Sequence, residues 1–276
     1  MKNIRTLVTS ALLLALPVSA AEAGSELMPG ISTGIPMGFP LPEGLYSITI
    51  PTYGSRDSNP HQDVTALAPL WLIWSTPVTI AGGRLLLDTV MPYVNVDVDG
   101  GPQFSGFANT ILDAQLKWDL GGGFYGGFQA GIYLPMNTDV GRDYTSFQGL
   151  AALSYLKDGW NLSSTFVYGT GSDGVDGGPS WFNVDLTATH KFGKFEIGAV
   201  AFGSTDLTAP YSGYARQRQF AAGGLVGYDF GLVNVQLKLT TDLWQENYGG
   251  NDTRVWANII IPLSALPPLS GTAVQR

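Results

Sequence analysis

Two histidines, at positions 61 and 190, and no cysteine restrict what this chain could catalyse. A hydrolase needs a nucleophile, a base and a group that orients the base, all converging on one point. Ser163 and Ser164 fall on a different segment and at a different depth from His61, while the parity of His190 turns its ring outward near a turn. Neither arrangement predicts an active site. Asp173 and Asp176, in Ser172-Asp173-Gly174-Val175-Asp176-Gly177-Gly178, could offer carboxylate oxygens to calcium, but the terminal glutamate of an EF-hand loop is missing. A solvated loop is the plainer reading. Gly121-Gly122-Gly123 precede neither a Lys-Ser/Thr pair nor a helix, so they make no phosphate loop. We therefore expect no enzyme, no metal and no cofactor.

The polar residues do share a period. Asn109, Asp113, Gln115 and Lys117 alternate with Ala108, Thr110, Leu112, Ala114, Leu116 and Trp118. Asn183, Asp185 and Thr187 alternate with Phe182, Val184, Leu186 and Ala188, and Gln236 and Lys238 with Val235, Leu237 and Leu239. One apolar and one polar face at a period of two is a strand pattern. These nine residues are the candidates for an inner, lumen-lining face. They could line a polar path with both signs of charge, or form a hydrogen-bonded, ion-paired interior that blocks it.

The elements that carry them are long. The segment 107–137 reads as a hairpin around the triple glycine, with arms of about thirteen residues against the usual five or six. At ~3.3 Å per residue and a tilt of roughly 40°, such an arm rises about 33 Å, enough to cross a bilayer core of ~30 Å. From Gly44 we count roughly twelve such segments: 45–53, 63–74, 84–98, the two arms of the hairpin, 147–157, 160–170, 181–192, 194–205, 218–230, 232–244 and 253–263. Very short links at Gly121-Gly122-Gly123, Asp158-Gly159, Gly193 and Gly231 alternate with longer ones, the exception being the long link 75–83. Short periplasmic turns and longer outer loops are expected of an outer-membrane barrel. Segments 45–53, 63–74, 84–98 and 253–263 alternate less cleanly, so their facing stays open. Rings gather near segment ends, as at Trp74, Trp118, Phe124, Trp160, Phe192 and Trp244, which suits the girdles at the lipid–water interfaces.

Composition agrees. Charged residues are 13% of the chain, against ~25% in an average soluble domain. A formal net charge of −8 argues against nucleic-acid binding, which needs a basic footprint. Lys2 and Arg5, an apolar run over 7–16 and Pro17-Val18-Ser19-Ala20-Ala21-Glu22-Ala23 have the form of a signal peptide, with cleavage after Ala20 or Ala23. Residues 24–43 hold closely spaced prolines and glycines and no periodicity. We read them as a periplasmic tail or partly docked segment in preference to a plug in the lumen mouth. The expected division is a signal peptide at 1–23, the Pro/Gly-rich periplasmic or plug segment at 24–43, a barrel at 44–264 and a tail at 265–276.

The chain also resembles a family of outer-membrane barrels named as transporters of the phenol-degradation meta pathway. The likeness rests on Leu27-Met28-Pro29-Gly30, Leu41-Pro42-Glu43-Gly44-Leu45-Tyr46, Trp74-Ser75-Thr76-Pro77, Met91-Pro92-Tyr93-Val94-Asn95-Val96 and Tyr133-Leu134-Pro135-Met136-Asn137. These are loosely spaced motifs over most of the chain beyond residue 23. The resemblance implies passage of small, often aromatic or apolar compounds and no catalytic residues. Barrels of this class commonly end on an aromatic strand residue read by the outer-membrane assembly machinery, whereas here Leu263 is followed by a Pro-containing tail. The expectation is an all-β, antiparallel up-and-down barrel of about twelve strands in the bacterial outer membrane. It would be a monomer in the lipid bilayer, passing a small apolar or aromatic solute by diffusion. The alternative is a closed structural or adhesive barrel working through its outer loops, with a membrane-embedded hydrolase behind it.

Overall fold

The computed structural model describes residues 24–265, so the signal-peptide reading and nearly all of the expected tail lie outside the described residues. Fourteen strand segments form one antiparallel sheet: β1 Gly44–Thr49, β2 Thr52–Arg56, β3 Gln62–Ile80, β4 Gly83–Val98, β5 Gln103–Phe107, β6 Ile111–Gly121, β7 Phe124–Tyr133, β8 Ser146–Lys157, β9 Trp160–Gly169, β10 Trp181–Phe192, β11 Phe195–Asp206, β12 Arg218–Asp229, β13 Asn234–Glu246 and β14 Asp252–Pro262. A 3-10 turn follows at Leu263–Ala265. β1 and β2 both pair with β14 on one side and β3 on the other, and β5 and β6 both pair with β4. Each of these couples is one interrupted strand. The fourteen segments thus make a closed barrel of twelve strands, which leaves no sheet edge for lipid to solvate.

The interruptions lie at one height. β1 gives way to β2 around Pro51, the β3 register shifts between Leu67 and Leu70 around Pro69, and β6 is separated from β5 by residues 108–110 opposite Met91 and Pro92. Proline cannot donate to the ladder, so three prolines on neighbouring strands open the same belt of hydrogen bonds. Single bonds from the Ala257 amide to the Pro51 carbonyl (3.0 Å) and from Ala108 to Pro92 (2.9 Å) bridge it.

Several segment limits differ from the sequence reading. β3 runs on to Ile80 instead of stopping at Trp74, because a register shift between Ser75 and Thr79 absorbs Pro77. The long link expected over 75–83 is therefore a tight turn at Ala81 (φ 48°) and Gly82 (φ 79°), and the exception to the short-turn rule disappears. Two consecutive residues of positive φ also make the Asp158-Gly159 turn.

Outward positions along the wall are large and apolar, among them Leu112, Phe128, Leu153, Leu186, Ile197, Leu237, Leu239 and Val255. A contiguous surface of that kind would not be tolerated in water; lipid solvates it. With closure and strand length, it makes this an outer-membrane barrel. Inward positions split in two. The inner wall of β9, β10, β11 and β13 is polar, with Asn161, Asn183, Thr187, Glu196 and Lys238 buried. The inner wall of β1, β3, β4 and the start of β6 is apolar, with Ile48, Trp71, Ile73, Leu86 and Ile111 in one buried cluster.

Residues 24–41 run inside the barrel, with Pro42 and Glu43 exposed, which corrects the preference for a periplasmic tail or partly docked segment over a plug. Ile35 and Met37 belong to the apolar inner cluster, with Leu27, Met28, Ile31 and Leu41 packed against it. Gly24 abuts Pro179 and Asp206 at the loop end, and Gly38 abuts Tyr125 and Ser154 toward the turn end. The segment forms neither helix nor strand, so its own propensities gave no sign of docking. What holds it is supplied by the barrel: buried side chains that need partners meet backbone N–H and C=O groups that need them too.

Candidate functional site

The site is the interface between residues 24–43 and the inner wall. Asp185 on β10 accepts from the amides of Gly30 (2.8 Å) and Ser32 (3.0 Å) and from the Ser32 hydroxyl (2.7 Å). Lys238 on β13 donates to the carbonyls of Gly30 (3.3 Å) and Thr33 (3.0 Å) and to the Thr33 hydroxyl (2.8 Å). A carboxylate thus takes the N–H side of the turn 30–33 and an ammonium takes its C=O side, and charge-assisted bonds are the strong kind. The Lys238 ammonium also lies 4.7 Å from the centre of the Trp256 ring.

The grip continues down the segment. The Thr187 hydroxyl accepts from the Gly34 amide (2.8 Å), and Gln236 donates to the Gly34 carbonyl (3.1 Å) and to Glu196 (3.0 Å). Asn183 donates to the Ser25 hydroxyl (2.9 Å) and the Leu27 carbonyl (3.0 Å). Five of the nine residues singled out in the sequence, Asn183, Asp185, Thr187, Gln236 and Lys238, therefore act on the segment. The other four lie elsewhere. Asn109 ties the interrupted strand to the outer loop 138–145, donating to the Leu134 (2.9 Å) and Arg142 (2.8 Å) carbonyls and accepting from the Arg142 amide (2.7 Å). Asp113, Gln115 and Lys117 surround Asp88 on β4. Gln115 donates to Asp88 (2.7 Å), Gln129 to Asp113 (2.5 Å) and the Trp71 indole to Asp88 (3.1 Å), with Lys117 buried beside them.

Sequence reasoning missed Asp88, Asn161, Ser154 and Asn258. Asn258 donates to the Thr33 carbonyl (2.9 Å), Asn161 to the Gly34 carbonyl (3.2 Å), and Ser154 accepts from the Gly38 amide (3.1 Å). Asn258 stands in Asn258-Ile259-Ile260-Ile261 and Asp88 in a leucine run, where apolar inner neighbours erase the alternation. The partial alternation Arg254, Trp256, Asn258 on β14 was the available signal.

Two small cavities remain above the gripped turn. One of about 90 Å³ lies among Ser25, Glu26, Arg56, Gln62 and Arg142 toward the loop end. The other, about 80 Å³, is apolar and bounded by Met28, Ile31, Ile50, Val90, Ile111 and Tyr133. Both touch Glu26 and Met28, and the second reaches Leu67, Pro92 and Ala108 at the interrupted belt of the wall. Below the turn, a mouth of about 590 Å³ opens past Pro36, Phe39 and Leu41. The turn 30–34 and its polar partners stand between cavities and mouth. At the loop end, Glu26 accepts from the Ser146 hydroxyl, and burial pushes its carboxyl above the ordinary value of 4.5 while Arg142 and Ser146 pull it back.

The groups weighed for catalysis do not converge. The Nε2 of His61 faces both Ser55 Oγ (3.1 Å) and Asp63 Oδ1 (3.2 Å), so one nitrogen serves both and no proton relay crosses the ring. His190 packs on Trp160 and Phe192, with ring centres 4.8 and 4.5 Å away. Ser163 bonds Ser154 and Asn161, with no histidine in reach. Asp173 and Asp176 are exposed in their loop, and no cluster of three or more His, Cys, Asp or Glu occurs among the described residues.

Solved structures share this architecture. An outer membrane channel from Pseudomonas putida F1 superposes with a TM-score of 0.67 at 15% identity, over 80% of this chain and 96% of that one. The NanC porin does so with a TM-score of 0.50 at 10% identity, over 78% of this chain and 100% of that one. No curated protein sequence matches the chain. The family model described as "Putative MetA-pathway of phenol degradation" matches residues 52–259, which span β2 to β14 and so nearly the whole wall described above. The chain belongs to that family.

Proposed function

We propose that this barrel is a passive outer-membrane channel for small apolar or aromatic solutes, working as a monomer, and that residues 24–43 are its gate. It carries out no catalysis. The observation that carries this reading is the two-sided lumen. An apolar inner wall formed by Ile50, Ala66, Ala68, Val90 and Ile111 faces the segment's own Leu27, Met28 and Ile31, and the free volume lies between them. A solute with little to hydrogen-bond loses least on leaving water for such a cavity, whereas a sugar would leave polar groups unpaired there.

The segment closes the route downward. Its polar bonds to β10 and β13 hold it on one side, and on the other apolar packing carries most of the contact, with single bonds from Ser75 to the Leu41 carbonyl and from Asn258 to the Thr33 carbonyl. A solute that replaces the packing of Met28 and Ile31 against Ile50 and Ile111 offsets part of the cost of moving the segment. Diffusion then follows the concentration gradient, with the outer loops controlling access. The nine inner polar residues act as clamp and scaffold in this scheme, not as a hydrated path. The family's description supports phenolic compounds as the first solutes to try.

Uptake by liposomes carrying refolded protein tests this. Phenols should enter faster than into protein-free liposomes, and small sugars and amino acids should not. Equal uptake of phenols with and without protein would replace this reading with that of a closed structural barrel acting through its outer loops.

A further inference from the structure

The loop end of the lumen holds an unexplained carboxylate oxygen. Asp206 closes β11 and is 2% exposed. Its Oδ2 accepts from the Tyr214 hydroxyl (2.7 Å) and the Gln217 amide (2.8 Å), yet its Oδ1 is buried with no hydrogen-bond partner. Leaving such an oxygen unpaired is costly, so it calls for a donor.

Gly24 stands beside it. A Cβ on Gly24 would fall 2.6 Å from Asp206 Oδ1 and 2.4 Å from Pro179 Cγ, and the residue has φ of +61°. Its Cα is therefore within roughly 4 Å of the oxygen, and its nitrogen at most one further bond of ~1.46 Å away. The Gly24 carbonyl is held from the other side by Arg142 Nη2 at 2.5 Å. Gly24 follows Ala23, the second of the two small-residue cleavage points in the leader.

We infer that the leader is removed between Ala23 and Gly24, and that the new α-ammonium of Gly24 docks on Asp206 Oδ1 as the outer anchor of the gate segment. A signal peptidase would direct water onto the Ala23 carbonyl. The C–N bond breaks, Ala23 keeps the carboxylate, and the Gly24 nitrogen leaves as an amine that takes up a proton. The product is a cation where the fold has an acid to spare: at this end the inner carboxyls of Glu26, Asp206, Asp242 and Asp252 meet the inner cations Arg56, Arg142 and Arg254, with Asp252 taken by Arg56 and Arg254, while Arg216 is exposed. Cleavage after Ala20 would leave Ala21-Glu22-Ala23 ahead of Gly24, placing the amine three residues away and adding a further carboxylate. Any side chain at position 24 would collide with Pro179, which explains why glycine stands there.

The test begins with intact-mass and N-terminal peptide analysis of protein extracted from outer membranes. The inference expects a chain starting at Gly24, and a start at Ala21 or anywhere else overturns it. The second readout is acylation of the α-amine at pH 7, where it reacts ahead of lysines because its ordinary pKa is ~7.7–8.0 against ~10.4. Labelling should be at least about tenfold slower in the folded barrel than after heat unfolding, and Asp206→Asn should remove most of that protection. A folded wild-type amine that labels as fast as the unfolded one overturns the contact even if the start is Gly24. Should Asp206→Asn fail to assemble, the wild-type comparison and Asp206→Glu decide.

Discussion

Removing the Asp185 carboxylate should release the gate while sparing the barrel. Asp185→Ala leaves the amides of Gly30 and Ser32 without their acceptor, and neither has another among the described residues. Each buried donor left unpaired costs about 1–3 kcal/mol, so docking should weaken by about 2–6 kcal/mol. Lys238→Met makes the informative contrast. The Thr33 carbonyl keeps its bond from Asn258 and the Gly30 carbonyl keeps its bond from the Thr33 hydroxyl, so no acceptor is orphaned. Loss of the ammonium relieves a buried cation but takes a counter-charge from Asp185, whose three donors from Gly30 and Ser32 stay in place, and the net effect should be smaller, on the order of 1–2 kcal/mol. The assay is maleimide labelling of Ile35→Cys, a buried apolar position with no side-chain polar contact in a chain that has no native cysteine. At tenfold per ~1.4 kcal/mol, Asp185→Ala should raise labelling by about 30-fold or more, until it saturates at the rate of a free thiol. Asp185 points inward and contributes no ladder bond through its side chain, so the barrel should stay folded. Unchanged labelling in a folded Asp185→Ala barrel would refute the claim that these bonds hold the segment.

Three further outcomes follow from the same geometry. Gly30→Ala should expel the segment, because φ is +87° there and a Cβ would lie 2.5 Å from the Phe202 ring; labelling at position 35 should approach the free rate, and protection at the wild-type level would contradict it. Leu116→Arg places a cation on the outward face opposite Phe128 and should cost ~2–4 kcal/mol near mid-bilayer, read as a lower yield of assembled barrel. The raised Glu26 carboxyl makes docking pH-dependent: the docked form binds the proton more tightly than the free segment, so its contribution is full below about pH 4.5 and is lost as pH rises through the raised value. Glu26→Gln should therefore slow hydrogen exchange of residues 24–34 relative to wild type at pH 7 and leave it unchanged at pH 4.

The wall was legible where its two faces differ. On β6, β10 and β13 lipid outside and a polar interior impose a period of two, and the glycine turns between strands stand out because they need positive φ. Legibility failed on the side where both faces are apolar. β1, β3, β4 and β14 pack their inner residues on Leu27, Met28, Ile31 and Ile35, so the partner that explains their composition lies far away in sequence. The prolines at 51, 69 and 92 read locally as breakers; that they align across neighbouring strands is a property of register alone. Pro77 looked like the end of a strand because a bulge cannot be seen without its partner strand. The gate was hidden for a related reason: residues 24–43 have no periodicity of their own, and their order comes from side chains 120 to 230 positions away, such as Asp185, Gln236 and Asn258.

The most direct measurement locks the gate. Ser32 and Asp185 touch through their side chains at 2.7 Å, and a Ser32→Cys/Asp185→Cys pair can be joined or freed by oxidant and reductant in a chain without other thiols. Phenol uptake into liposomes would be followed before and after oxidation, against protein-free liposomes at each step. A mobile segment that gates an apolar route predicts uptake in the reduced barrel that falls to the protein-free level on oxidation and returns on reduction. Uptake that is the same in both states, with the cross-link verified by mass, would contradict it.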